Sequence, residues 1–327
     1  MITYLQTEYF LAINEERNIS KAAATLSIAP QTLSRSLDSI EKELGTRLFE
    51  RSTPLTLTDS GKVFLDYART TVEQRRKLDD AINDIKGNIC GTIRLGISYN
   101  RGPILLPYTM ARFQAKYPKI DFYILEGRRA EIERAMLSGK VDLSIEHVPF
   151  EDPDIVYEEI MRDNLYLLVP RELIASRYGS RSTAVIRDIV STGRIAPIAD
   201  CPFLLNQRGN SIRAAVESIF EEEQLHPIVG MEVENMETCL NMCALGKGVT
   251  VYPGSFLSSK QLDEDRDDIL LAKMKYARAQ YTLGVAYRRK HYLTAASKYF
   301  IQVLKDQLRE SIKQLNSQID PPVILEG

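Results

Sequence analysis

The sequence predicts an α/β protein in three parts: a helix-rich N-terminal unit, one long helix, and two successive α/β units. Three observations predict it. Before residue 58, apolar residues fall at helical spacing, punctuated by Pro30 and Gly45, and two short β-prone pieces follow. From residue 59 to about 86 an apolar stripe runs on for many turns. From Thr92 onward, strand-like and helix-like segments alternate, as in βαβ units.

Composition fits this division. At 327 residues the chain is long for one domain. Hydrophobic residues make up 44%, enough for a sizeable core. The net charge of −2 excludes a basic polyelectrolyte. The N-terminus lacks a basic stretch followed by an apolar core, and no run of 18 apolar residues occurs. A cytoplasmic protein with no membrane contact is expected. Its four cysteines, Cys90, Cys201, Cys239 and Cys243, are then expected as free thiols acting as small hydrophobes, with redox sensing as the alternative. Their spacing completes no metal site.

Residues 3–15 read as a first helix, with Leu5, Tyr9, Phe10 and Ile13 inward. Ser20 is expected to cap a short helix over 21–26. Ala22, Ala23 and Ala24 permit close approach of another helix. A turn at 27–29 leads to Pro30, which suits the first turn of a second helix. Leu33, Leu37, Ile40 and Leu44 share one face of that helix, and Gly45 ends it. Gln31, Thr32, Ser34 and Arg35 lie at its start, mostly off the apolar face. This is a helix-turn-helix whose second helix offers polar side chains to base edges. Leu48 and Phe49 then anchor a wing whose turn is Arg51-Ser52-Thr53-Pro54. Arg51 suits a phosphate or the minor groove. The candidate DNA contacts are Ser20, Lys21, Gln31, Thr32, Ser34, Arg35, Arg51, Ser52 and Pro54. Charge argues against them, because residues 1–60 hold six Lys/Arg and eight Asp/Glu. The basic patch must be local, built from Lys21, Arg35, Arg47 and Arg51, with Glu8, Glu15, Glu16 and Glu41 facing elsewhere.

Thr58 or Asp59 caps the long helix. Phe64, Tyr67, Ala68, Thr71, Leu78, Ile82 and Ile85 fall near one stripe. Left uncovered, that stripe would face water; pairing with a second copy of the chain covers it, and the alternative is packing on its own wing domain. For the second case the dimer contacts are Phe64, Leu78, Ile82 and Ile85. Residues 86–91 form a hinge. Strands follow at 92–97, 121–126, 141–146 and 164–169, with helices at 104–116 and 129–138. The second α/β unit has strands at 201–205, 229–233 and 249–252 and helices at 212–223 and 236–245. A late strand at 281–287 and a helix from 293 to about 314 close the chain. A largely parallel sheet is expected.

The run from SKAAATLSIAPQTLSRSLDSIEKELGTRLFERS to LTLTDSGKVFLDYA resembles the winged helix-turn-helix of LysR-type transcriptional regulators. Ser34-Arg35, LGTRLFER at 44–51, Leu57-Thr58 and Gly61 carry the likeness. MLSGKVDLSI and METCLNMCALGKGVTVYP resemble the effector domain of that family, which has the fold of periplasmic solute-binding proteins. The resemblance implies a DNA-binding domain at 1–58, a dimerising linker helix and hinge at 59–91, and a two-lobed effector domain at 92–310. Lobe I is then 92–163 with 270–310, lobe II is 164–269, and 311–327 is a tail. It implies double-stranded DNA with dyad symmetry, a second copy of the chain in a dimer or tetramer, and RNA polymerase as partners.

A ligand is expected between the lobes, beside loops that follow strands. The candidate contacts are Ser98, Tyr99, Asn100, Arg101, Arg128, His147, Asn206, Arg208, Asn210, Ser211 and Val249. Helix starts after Tyr99 and Asn210, with the three arginines nearby, suit an organic anion such as a carboxylate. No cofactor and no metal are expected. Nothing matches a hydrolase elbow, a Walker loop, a zinc-protease helix or a dinucleotide loop, so no enzyme is expected. The alternative is a cytoplasmic small-molecule sensor that acts through protein partners without binding DNA. The polar positions of residues 20–58 favour the regulator.

Overall fold

The computed structural model describes residues 1–87, 89–257, 268–289 and 291–319, with backbone alone for 314–319. Asn88 of the expected hinge, and residues 320–327 of the expected tail with Pro321 and Pro322, lie outside the described residues. The chain divides into two compact units at residue 91.

The first unit holds α1 (Tyr4–Glu16), α2 (Ile19–Thr25), α3 (Pro30–Leu44), a hairpin of β1 (Phe49–Glu50) and β2 (Thr56–Leu57), and α4 (Asp59–Ile85). Thr3 and Gln6 form a reciprocal cap on α1. Phe10, Ile13, Leu33, Leu37, Ile40, Leu48, Phe49 and Phe64 form one core. The Phe10 ring lies 4.7 Å from Phe64, edge to face, and 5.1 Å from Phe49. Each such side chain contributes about 1.5–3 kcal/mol on burial. Ser20 does not cap α2: the helix begins earlier, at Ile19, and Asn18 Oδ1 accepts from Lys21 N at 3.0 Å. Gly45 ends α3 in the left-handed region at φ 67°. Thr58 Oγ1 accepts from Gly61 N at 2.9 Å and donates to the Arg47 carbonyl at 2.7 Å. A Cβ on Gly61 would stand 2.0 Å from the Leu48 carbonyl oxygen. Glycine there lets α4 start hard against the wing.

The second unit is a pair of α/β lobes. Its elements run β3 (Gly91–Ser98), α5 (Gly102–Gln114), β4 (Ile120–Gly127), α6 (Arg129–Leu137), β5 (Leu143–Val148) and β6 (Ile155–Pro170). Then come α7 (Arg171–Tyr178), α8 (Ser182–Thr192), β7 (Pro202–Asn206), α9 (Ser211–Glu222), β8 (Ile228–Val233), α10 (Met236–Ala244) and β9 (Thr250–Pro253). β10 (Ile269–Lys273), β11 (Gln280–Arg288) and α11 (Ala295–Ile319) complete it. Lobe I has the strand order β6-β11-β5-β3-β4. In lobe II the far half of β6 pairs with β9 and β10, and β7, paired with β8, bridges to Val249 beside β9.

The long strand β6 belongs to both lobes. Residues up to Asn164 pair with β11, and those from Leu165 pair with β9 and β10. The expectation of a largely parallel sheet is corrected. β3–β5 and β7–β8 are parallel, but β6 is antiparallel to β9, β10 and β11, and β11 to β5. The cause is the shared crossover strands, which return through each lobe against the βαβ direction. The lobe II core takes in Cys201, Cys239 and Cys243. Burial pushes the Cys239 thiol up to about 11, far from the reactive thiolate range.

Candidate functional site

In the first unit, α3 turns Leu33, Leu37 and Ile40 inward, so its opposite face is left to solvent. Gln31, Thr32 and Arg35 are exposed and Ser34 is half-buried. Ser20 and Lys21 are exposed on α2, and Arg51, Ser52 and Pro54 on the wing. Ser52 Oγ donates to the Pro54 carbonyl at 2.8 Å, so these two shape the turn that carries Arg51. Three of the acids, Glu8, Glu16 and Glu41, are half-buried and hydrogen-bonded within the unit, while Glu15, Asp38, Glu43, Glu50 and Asp59 are exposed. The Glu41 carboxylate accepts from Leu48 N at 2.7 Å and Phe49 N at 3.3 Å. Glu8 accepts from the Tyr4 hydroxyl at 2.8 Å and Glu16 from the Thr25 hydroxyl at 3.1 Å. Lys21, Arg35, Arg47 and Arg51 are exposed and form no ion pair among the described residues. A short local arrangement thus presents free cations despite the unfavourable count.

In the second unit, a cavity of about 250 Å³ lies between the lobes. Lobe I supplies Ser98, Tyr99, Asn100 and Arg101 after β3, Arg128 and Arg129 after β4, and Glu146 and His147 from β5. Lobe II supplies Arg208, Asn210 and Ser211 at the start of α9, with Glu234 before α10. Among the described residues, four polar contacts cross it. Arg128 pairs with Glu234 at 3.0 Å. Asn100 Oδ1 accepts from Met236 N at 3.0 Å, and its amide donates to the Glu234 carbonyl at 3.3 Å. Ser211 Oγ lies 3.0 Å from His147 Nδ1. Burial, then the charges of Arg101 and Arg129, hold the His147 pKa well below its ordinary value, so the ring is neutral at pH 7.

Nine of the eleven sequence-predicted residues line this cavity, which leaves two to correct. Val249 is fully buried, because its backbone bridges to β7 as part of the sheet. Asn206 is also buried, and its amide donates to the Glu234 carbonyl at 3.2 Å. The arginines are not free cations either. Arg101 is buried against Glu146 at 3.3 Å, and Arg208 meets Glu217 at 3.2 Å. The sequence reading missed Arg129, Glu146 and Glu234. Arg129 follows Arg128 directly, but only the fold shows that it faces the same cavity and donates to the His147 and Pro149 carbonyls.

Comparison with known families covers both units. The family model described as bacterial regulatory helix-turn-helix protein, lysR family, matches residues 5–62. The model described as LysR substrate binding domain matches residues 86–309. The chain belongs to the LysR family. It is a DNA-binding transcriptional regulator with a substrate-binding domain, and not an enzyme. The regulator YcgK of Bacillus subtilis is 25% identical over 94% of this chain and 95% of its own length. The activator IlvY of Haemophilus influenzae is 26% identical over 83% of this chain and 89% of its own. Among solved structures, a full-length OxyR variant from Pseudomonas aeruginosa has TM-score 0.69 at 22% identity, covering 94% and 98% of the two chains. CbnR in complex with its target DNA has TM-score 0.60 at 20% identity, covering 93% and 99%. These two likenesses concern the fold.

The two LysR-family matches leave most of α4 between them. On that helix Leu78, Ile82 and Ile85 are 54%, 37% and 85% exposed. Phe64 differs: only 5% exposed, it packs in its own domain core, which leaves little of it for a partner chain. No described helix of this LysR-family chain is long and apolar enough to cross a membrane.

Proposed function

We propose that this regulator acts in the cytoplasm as a dimer, or a dimer of dimers, that binds dyad-symmetric DNA and responds to a small organic acid held between its lobes. The carrying observation is a cavity walled by both lobes, rich in arginine and entered by the start of α9. A helix start supplies donors without a full charge, so a mono-anion is held without every arginine. The exposed apolar row Leu78, Ile82, Ile85 supports pairing of α4 with a second copy. Two α3 helices then enter successive major grooves about 34 Å apart. An acid that binds the closed lobes more tightly shifts the population toward one arrangement of subunits, and so toward one DNA spacing or bend. Contact with RNA polymerase belongs to the same proposal. The exposed cations around α3 favour this over a sensor without DNA binding.

The test is a thermal-shift screen of metabolite acids beside neutral analogues of matching size, repeated on Ser98→Ala and Ser211→Ala. Acids should stabilise the parent, by about 2.7 kcal/mol at a hundred times the dissociation constant, and stabilise both variants less. Neutral compounds that stabilise while no acid does would refute the anion site. A genome-wide map of bound sites would add the identity of neighbouring target genes.

A further inference from the structure

The floor of the cavity carries a charge pattern that a plain carboxylate does not match. Arg101 and Glu146 are each 4% exposed, lie 3.3 Å apart, and both line the cavity. Arg101 Nη1 also donates to the Ile145 carbonyl at 3.0 Å. Each residue still keeps one buried polar atom without a protein partner: Arg101 Nε and Glu146 Oε1. A buried carboxylate oxygen left unmatched is costly, and a group that donates to it recovers that cost. His147 Nε2, on the same wall, is likewise buried and unmatched.

The remaining charges fix the balance. Arg128 is matched by Glu234 at 3.0 Å and Arg208 by Glu217 at 3.2 Å. Arg129 is held by carbonyl oxygens and by the face of Phe150, 4.3 Å away, which leave its charge uncompensated. One cation therefore remains in excess, and one acceptor remains unmet.

We infer that the ligand of this cleft is an organic acid of net charge −1 that also bears a hydrogen-bond donor, a hydroxyl or an ammonium, directed to Glu146. This rests on reading the cleft as the effector site. The acid group answers the excess charge and the positive end of the α9 dipole, where Asn210 Oδ1 already accepts from Ile212 N and Arg213 N. The second group answers Glu146 Oε1, while an oxygen of the ligand accepts from Arg101 Nε. An acid without the donor leaves the buried carboxylate oxygen bare. A site built to hydrogen-bond a substrate discriminates strongly against the analogue that lacks the group.

The test uses the full chain and matched trios of four- to six-carbon acids. Each trio holds the net charge at −1 by comparing a 2-hydroxy monocarboxylate, a 2-amino dicarboxylate and the unsubstituted monocarboxylate of one chain length, as in 2-hydroxypentanoate, glutamate and pentanoate. Binding is read by calorimetry and thermal shift. In at least one trio a donor-bearing member should bind about tenfold or more tightly than the unsubstituted acid. Whether the hydroxyl or the ammonium wins identifies the donor. The double variant Arg101→Met, Glu146→Leu replaces the buried pair with apolar groups of similar size and leaves no lone charge. Its fold is checked by circular dichroism, and the donor preference should fall to within about threefold. Equal binding across every trio would overturn this inference and leave the anion reading standing. Binding of neutral amides with no acid bound, or no binding by any member, would overturn both. A preference that survives the double variant would remove Glu146 and Arg101 from the recognition.

Discussion

Asp163→Ala is expected to loosen the link between the lobes. Asp163 lies on β6 at the passage from one lobe to the other and is fully buried. Oδ1 accepts from Asn164 N at 2.7 Å and Ser255 N at 3.1 Å. Oδ2 accepts from Ser255 N at 3.0 Å and from the Tyr281 hydroxyl at 2.7 Å. Ser255 follows β9 in lobe II, and Tyr281 opens β11, the return strand. One carboxylate therefore ties both crossovers to lobe II. Alanine leaves three donors unmatched, at about 1–3 kcal/mol each. Burial opposes this, since it raises the Asp163 pKa and so penalises the ionised form in the parent. The net loss should be about 2–4 kcal/mol. Urea unfolding followed by circular dichroism and tyrosine fluorescence measures it, with a separate transition fitted for each unit. Asp163→Asn keeps one accepting oxygen and should lose less, with the Tyr281 hydroxyl turning to accept from the amide. A loss below about 1 kcal/mol for alanine would show that the carboxylate does not hold the crossovers.

Three further outcomes are expected. Arg35→Ala should weaken specific DNA binding by about 1–3 kcal/mol with the fold intact, read by gel shift with circular dichroism; unchanged affinity would remove Arg35 from the interface. Leu78→Asp with Ile82→Asp should break the dimer, because like charges would meet on the paired helices; light scattering that still shows a normal dimer would refute α4 as the main contact. His147 has a folded pKa depressed below its unfolded value of about 6.5, so its contribution to stability is full above that pH and is lost as pH falls toward the folded pKa. His147→Gln should flatten the decline in stability between about pH 6.5 and 5, and an identical decline in the variant would show that His147 is not the group responsible.

The N-terminal unit was legible because its signals are local. Pro30 and Gly45 mark α3 at its ends, and the four-three spacing of Leu33, Leu37 and Ile40 sets the buried face, whereas Leu44, expected on it, is exposed in the last turn. The Ser20 cap failed by a local competition: Asn18 has the same capability two residues earlier, and the chain used it. β6 was half-missed for a different reason. Its first half, from Ile155 to Asp163, alternates buried and exposed positions irregularly, since it pairs with β11 alone and passes a register shift at Leu283–Gly284. β10 at 269–273 gave no turn signal to set it off from the crossover. Both are strands whose partners lie far away in sequence, which periodicity does not report.

The same distinction decides the cleft. That Ser98 to Arg101 and Arg208 to Ser211 would meet followed from loops placed after strands, a rule of the fold class. What the arginines meet did not follow, because Glu146 stands 45 positions after Arg101 and Glu234 stands 106 after Arg128. The sequence reading took Arg101, Arg128 and Arg208 as cations suited to a carboxylate. With those three matched by Glu146, Glu234 and Glu217, the surplus comes down to Arg129, the residue the loop rule did not single out. Under the proposed function the acids also couple binding to closure. Arg128 and Glu234 sit on opposite lobes, so a ligand that draws Arg128 away weakens a contact holding the lobes together, while one that leaves the pair intact adds to it. A mono-anion that uses Arg129 and the α9 start leaves the pair in place, and its binding energy then favours the closed lobes.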